Sequence, residues 1–148
     1  CLSLPMLVNP EEKDVQPNPP VAPPMSAITQ KRKPNSNRDV EYDFNENKVK
    51  LKIKDDLGKL LYHKHNLVTS AIKHEYYEIS NNAPLSSMAQ ISWNFEYSRD
   101  NWMTRTITET IMTSDEKYYY LKAKVRAYEN EKNIFEKSFK HKIIRVNG

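Results

Sequence analysis

The stretch Ala89-Gln90-Ile91-Ser92-Trp93-Asn94-Phe95-Glu96-Tyr97-Ser98 decides the fold class. Apolar and polar residues alternate without a break. Successive side chains of a β-strand point to opposite faces, so this spacing gives one dry face and one wet face. The same period recurs on both sides. Tyr119, Leu121, Ala123, Val125 and Ala127 alternate with Tyr118, Tyr120, Lys122, Lys124, Arg126 and Tyr128. Earlier, Val49, Leu51 and Ile53 alternate with Lys48, Lys50, Lys52 and Lys54.

Between the first two of these lies Trp102 to Thr113. Thr104, Thr106, Thr108 and Thr110 share one face; Met103, Ile107 and Ile111 share the other with Arg105 and Glu109. Threonine at this density favours a strand, because its β-branched side chain is restricted in a helix. Either row could be the inner one. Ile72 to Ile79 reads as a further strand, and Ile134 to Phe139 with Ile143-Ile144 closes the series. Leu57 to Leu67 is the best helical candidate in a chain that otherwise offers none.

Turn chemistry separates these runs. Asn45-Glu46-Asn47, Asn81-Asn82-Ala83-Pro84, Arg99-Asp100-Asn101, Ser114-Asp115-Glu116 and Glu129 to Asn133 each mark a reversal. Asp55-Asp56-Leu57-Gly58 reads as another, making Lys59 to His63 the hairpin partner of Val49 to Ile53. The chain has only Gly58 and Gly148. Asn and Asp must therefore supply the left-handed turn positions, which they tolerate better than other residues. Many short strands with regular turns imply an all-β sandwich or barrel.

The first 37 residues differ. They hold every proline but Pro84. Leu2 to Val8 reads as a short edge strand interrupted by Pro5. The rest, with Pro19-Pro20 and Pro23-Pro24, reads as an extended arm or linker. The expected organisation is thus an arm over 1–37 and a β-domain over 38–148.

The net charge is +4, from 23 Lys and Arg against 19 Asp and Glu. The signs are interspersed, and the densest basic run, Lys31-Arg32-Lys33, carries no base-stacking aromatics. A solvated lysine-rich surface is favoured over a nucleic-acid site. A single cysteine, Cys1, excludes an internal disulfide. No apolar run approaches the roughly 18 residues that cross a membrane. Cysteine at position 1 admits two readings. One is a fragment of a cytoplasmic protein, which is the favoured expectation. The other is an envelope lipoprotein tethered through Cys1.

An ordered set of features carries a resemblance. Glu78-Ile79 leads through Ala83-Pro84-Leu85-Ser86 to the Trp93 strand. Arg99-Asp100-Asn101-Trp102, Met112-Thr113-Ser114-Asp115 and Ala127-Tyr128-Glu129 follow, then Phe135, Phe139 and Ile144-Arg145. Asp43-Phe44-Asn45, Asp56-Leu57-Gly58 and His65-Asn66-Leu67 fit upstream. This order resembles the C-terminal domain of the X-Pro dipeptidyl peptidase and cocaine esterase family of α/β-hydrolases, over nearly the whole chain. The resemblance implies a jelly-roll-like, galactose-binding-like sandwich. It implies that the domain packs on an α/β-hydrolase domain and helps wall its substrate pocket. It places the catalytic serine, aspartate and histidine upstream of these residues, so the chain alone is expected to be inactive.

The residues themselves offer little catalytic chemistry. No Gly-x-Ser-x-Gly elbow is present. Ser114, Asp115 and His141 have triad composition, but nothing supplies an oxyanion hole. His63 and His65 share a strand face and could pair on a metal with His74 or His141, yet a lysine-rich hairpin edge is the simpler account. No cofactor, metal or catalytic site is expected. Alternation sends Trp93 and Tyr119 into the core. Trp102, Tyr118 and Tyr120 remain as a possible domain-facing or ligand patch. The competing function is a stand-alone binding module.

Overall fold

The computed structural model describes residues 27–146. The Leu2 to Val8 strand and Cys1 lie outside the described residues. Eight strands form one antiparallel sheet: β1 (Ile28–Arg32), β2 (Asn35–Asp43), β3 (Lys48–Tyr62), β4 (Leu67–Ser80), β5 (Ala83–Arg99), β6 (Trp102–Ser114), β7 (Tyr118–Glu129) and β8 (Lys132–Ile144). A single 3-10 turn, His63–His65, links β3 to β4. The fold is all-β, as the alternation implies. The open sheet is consistent with one layer of a β-sandwich.

From β3 onward each strand pairs with the next in the chain. The result is a meander. β1 and β2 both pair with β3, end to end along the same edge. This differs from the expectation of a linker up to residue 37. Residues 28–32 and 35–37 are already sheet, because an edge strand with both faces wet needs no apolar alternation to pair.

β3 is one strand of 15 residues where a hairpin was expected. Its register against β4 shifts between Asp56 and Lys59, where the strand bulges. Gly58 sits there at φ 84. A Cβ on Gly58 would lie 2.5 Å from the carbonyl oxygen of Arg32 and 3.0 Å from the nitrogen of Pro34. The glycine therefore allows the β1–β2 corner to close over the bulge. The helical expectation for Leu57 to Leu67 gives way to the same strand and the 3-10 turn.

The turns follow the expected chemistry. Asn47, Asn66, Asn82, Asp100 and Asn130 all have φ between 46 and 58. Each closes a reversal in the place a glycine usually takes. At the β6–β7 turn Asp115 acts through its side chain instead. Its carboxylate accepts the backbone N–H groups of Lys117 and Tyr118, both at 2.7 Å.

Register assigns every side chain to a face. Thr108 lies opposite Trp93 on one side and Val125 on the other. The threonine row of β6 is therefore the inner row, which settles the choice left open by the sequence. Threonine suits such a row because its γ-methyl offers apolar surface and its β-branch favours a strand. Arg105 and Glu109 fall on the polar face, where Glu109 pairs with Arg126 at 2.5 Å.

Candidate docking face

The apolar rows join across the sheet. Leu51, Tyr77, Ala89, Met112 and Leu121 are linked in one lateral row by register. Ile91, Thr110, Ala123 and Phe139 form a second, and Phe95, Thr106, Ala127 and Phe135 form another. Trp93 and Phe95 stack on this face with ring centroids 5.0 Å apart and planes 9° from parallel.

Among the described residues no second layer covers these rows. Among the described residues no apolar side chain is fully buried. Met112 is 43 % exposed, Phe135 49 % and Ile143 51 %. The sheet spans roughly 30 Å across seven strand positions and about 34 Å along ten residues. One face is thus roughly 1,000 Å², above the ~800 Å² that each partner contributes to a standard interface. A soluble monomer rarely leaves a contiguous apolar patch of that size bare.

At one end the face deepens into a concavity of about 380 Å³. Val49, Leu51, Tyr77, Ile79, Met112 and Tyr119 are among the residues that line it. Its walls come from five consecutive strands.

One polar cluster interrupts the face. Lys73 pairs with Asp55 at 3.0 Å and with Glu75. Tyr77 donates its hydroxyl to Glu75 at 2.5 Å. Lys73 also sits over the Trp93 ring, 5.5 Å from its centroid. The Glu75 carboxyl is held below the usual range, first by Lys73 and then by the Tyr77 hydroxyl. Lys73 bridges both carboxylates, so each anion has a partner while the cluster keeps a formal charge of −1.

The opposite face is a salt-bridge ladder. Lys48 reaches Glu46 and Glu78 at 3.1 Å, Lys50 reaches Asp43 at 2.7 Å, and Lys52 reaches Glu41 at 2.8 Å. These pairs keep that face wet and separate in role from the apolar one.

The best-buried polar group lies at the bulge. Asp56 is 7 % exposed. It accepts from Arg32 at 2.7 Å and from the Gly58 N–H at 2.8 Å. Arg32 also donates to the Ser70 hydroxyl at 3.0 Å. The Arg32 guanidinium is the main cause that holds the Asp56 carboxyl below its ordinary range. Every partner here is structural: the clasp fastens β1 to β3 and β4.

The residues expected to form a patch are not brought together as three. Tyr118 and Tyr120 are neighbours, with ring centroids 6.3 Å apart. Lys142 lies 3.7 Å from the centroid of Tyr118, and Tyr120 donates to Asp115 at 2.6 Å. Trp102 stands at the far end of β6, where its indole donates to Glu129 at 3.0 Å. By register it shares the apolar face, whereas Tyr118 and Tyr120 lie on the polar one. Trp93 and Tyr119 are on the apolar face, as expected, but that face is uncovered.

The histidines are dispersed. His63 shares a hydrogen bond of 2.7 Å with Thr29. His65 is in the 3-10 turn, His74 pairs opposite Lys54 on the polar face, and His141 lies opposite Leu121 on the apolar one. No group of three metal-ligating side chains occurs among the described residues. Asp115 is occupied by the turn it closes, and Ser114 stands opposite Tyr119, away from His141. Among the described residues no helix is long and apolar enough to cross a membrane. No family model, curated protein or solved structure matches the chain.

Proposed function

We propose that this chain is a non-catalytic β-domain whose apolar face docks on a partner domain. The observation that carries the reading is the uncovered face across β3 to β8. A β-sheet with one apolar face needs a second layer to complete a core. In the family resemblance that layer is an α/β-hydrolase domain of the X-Pro dipeptidyl peptidase or cocaine esterase type. The role of the β-domain is then to complete the fold and to wall the substrate pocket. The concavity between Leu51 and Tyr119 is the part of the face best shaped to accept a projecting apolar side chain from it.

The test uses the full chain with an environment-sensitive dye for apolar surface. Strong dye binding is expected, and Ile91→Asp should reduce it. Titration with any α/β-hydrolase domain found in the same gene should displace the dye at one to one. Neither p-nitrophenyl butyrate nor an alanyl-prolyl anilide should be turned over by the chain alone. Turnover abolished by a single serine substitution would overturn the proposal, as would a complex that forms without displacing dye.

The concavity favours a second reading, a stand-alone module that takes up an apolar small molecule. Saturable binding of a fluorescent fatty acid by the chain alone, lost in Met112→Asp, would support that reading over the first.

A further inference from the structure

The sheet is open, so it has two free edges. One is β1 followed by β2; the other is β8. Each carries a row of backbone N–H and C=O groups with no strand beside it among the described residues. The two edges match in length: β1 and β2 together hold 14 residues, and β8 holds 13. All of β2 is exposed except Asp43, and all of β8 except Phe139.

Over the β2 part of the first edge the charges are opposite, whereas β1 is basic through Lys31 and Arg32. β2 carries Asp39, Glu41 and Asp43 against Arg38, while β8 carries Lys132, Lys137, Lys140 and Lys142 against Glu136. Lysines on an edge oppose its pairing with a like edge. They do not oppose an acidic stretch, and β2 presents one in Asp39, Glu41 and Asp43, the last two of which also bond Lys52 and Lys50 of β3.

Direction and register agree as well. Antiparallel pairing along the meander makes β2 and β8 run in the same sense. A second copy placed beside the first by translation would bring β8 parallel to β2. With Asp39 opposite Lys140, Glu41 falls opposite Lys142 on the polar face. On the apolar face Val40 meets His141 and Tyr42 meets Ile143. Both rows therefore continue from one copy into the next without a slip of face, which a one-residue shift would cause. At the other end of the edges the same register sets Lys31 opposite Lys132, a like-charge pair that limits the favourable contact to the β2 half.

We propose that β8 of one copy pairs in parallel with the β2 edge of a second copy. The contact is heterologous, because two different edges meet, so it propagates the sheet head to tail. It uses the backbone edges and touches the apolar docking face only at its rim, through residues such as His141 and Ile143.

Sedimentation velocity of the full chain over a wide concentration range tests this. Association should rise with concentration and weaken from 50 to 500 mM salt. Lys140→Glu with Lys142→Glu makes both edges acidic; Asp39→Lys with Glu41→Lys makes both basic. Each double variant should associate at least about tenfold more weakly, since the reversal turns two cross-strand attractions into repulsions. A mixture of the two variants should regain association. Circular dichroism of each variant checks that the sheet is retained. Should one variant fail to fold, salt dependence and the remaining variant still decide. A wild-type chain that stays monomeric at all concentrations would overturn the proposal. Association that neither variant nor salt changes would do so too. Loss of edge pairing with dye displacement intact would leave the docking proposal standing, and the converse result would leave this one.

Discussion

Replacing Gly58 with alanine tests the account of the bulge most directly. The residue has φ 84, outside the range that L-residues favour, which costs roughly 1–2 kcal/mol. The new methyl would also stand 2.5 Å from the Arg32 carbonyl oxygen, a backbone atom with no rotamer to escape into. Relief requires the β1–β2 corner to lift. Lifting it pulls Arg32 from Asp56 and leaves a buried carboxylate short of a partner, a further loss of about 1–2 kcal/mol. The expected total is about 3 kcal/mol, a large part of the stability of a domain this size. Urea unfolding followed by circular dichroism reads it. With a slope of about 1–2 kcal/mol/M, the midpoint should fall by roughly 2 M. Gly58→Asn separates the two causes, because asparagine tolerates left-handed geometry yet keeps the Cβ. It should recover only the conformational part, about 1–2 kcal/mol, and keep the rest of the loss. A midpoint within about 0.3 M of wild type for Gly58→Ala, or full rescue by asparagine, would refute the close approach as the reason for the glycine.

Other expectations follow from the same contacts. Asp56 has a folded-state carboxyl below its unfolded value, so its contribution is present above pH ~4 and is lost as pH falls through the lower folded value. Asp56→Asn should flatten that acid limb in urea midpoints measured from pH 6 to pH 2. Thr108→Val, on the inner row between Trp93 and Val125, should change stability by less than about 0.5 kcal/mol, whereas Thr108→Asp should unfold the sheet or cost several times more. Tyr118→Leu removes the ring beneath Lys142 and should cost about 0.5–1 kcal/mol in the same assay. Trp93→Ala should lower dye binding to the apolar face more than Trp102→Ala, which stands at the rim of that face beside Glu129.

The central strands were legible because both of their faces obey a two-residue period. Ile91 to Tyr97 and Tyr119 to Ala127 place themselves on one face from the sequence, and register only joins them. The turns were legible for a related reason. With one glycine inside the described residues, asparagine and aspartate had to take the left-handed positions. Three features were hidden. Arg32 and Asn35 to Asn37 look like linker because an edge strand exposed on both sides carries no hydrophobic signal. Asp55 to Gly58 has turn composition, but its conformation is set by a strand more than twenty residues earlier, through Arg32. The polarity of the threonine strand depended on its neighbours, since Thr108 is inner only because Trp93 and Val125 flank it. The patch of Trp102, Tyr118 and Tyr120 failed to converge for a simple geometric reason. Residues 16 apart across an antiparallel turn lie at opposite ends of their strands, and these also sit on opposite faces.

The meander has a consequence for how the sheet is assembled and edited. From β3 to β8 every ladder joins chain neighbours, so each hairpin can zip onto the preceding one without closing a long loop, which favours rapid folding. Stability in such an array resembles a sum over adjacent ladders. Removal of β8 therefore exposes β7 as a new edge while β3 to β7 keep their register. Removal of β1 is different: its pairing with β3 spans 34 residues from Ile28 to Tyr62 and holds the bulge in place. The two ends of this sheet are thus unequal, one a terminus that can be shortened or extended strand by strand, the other a clamp.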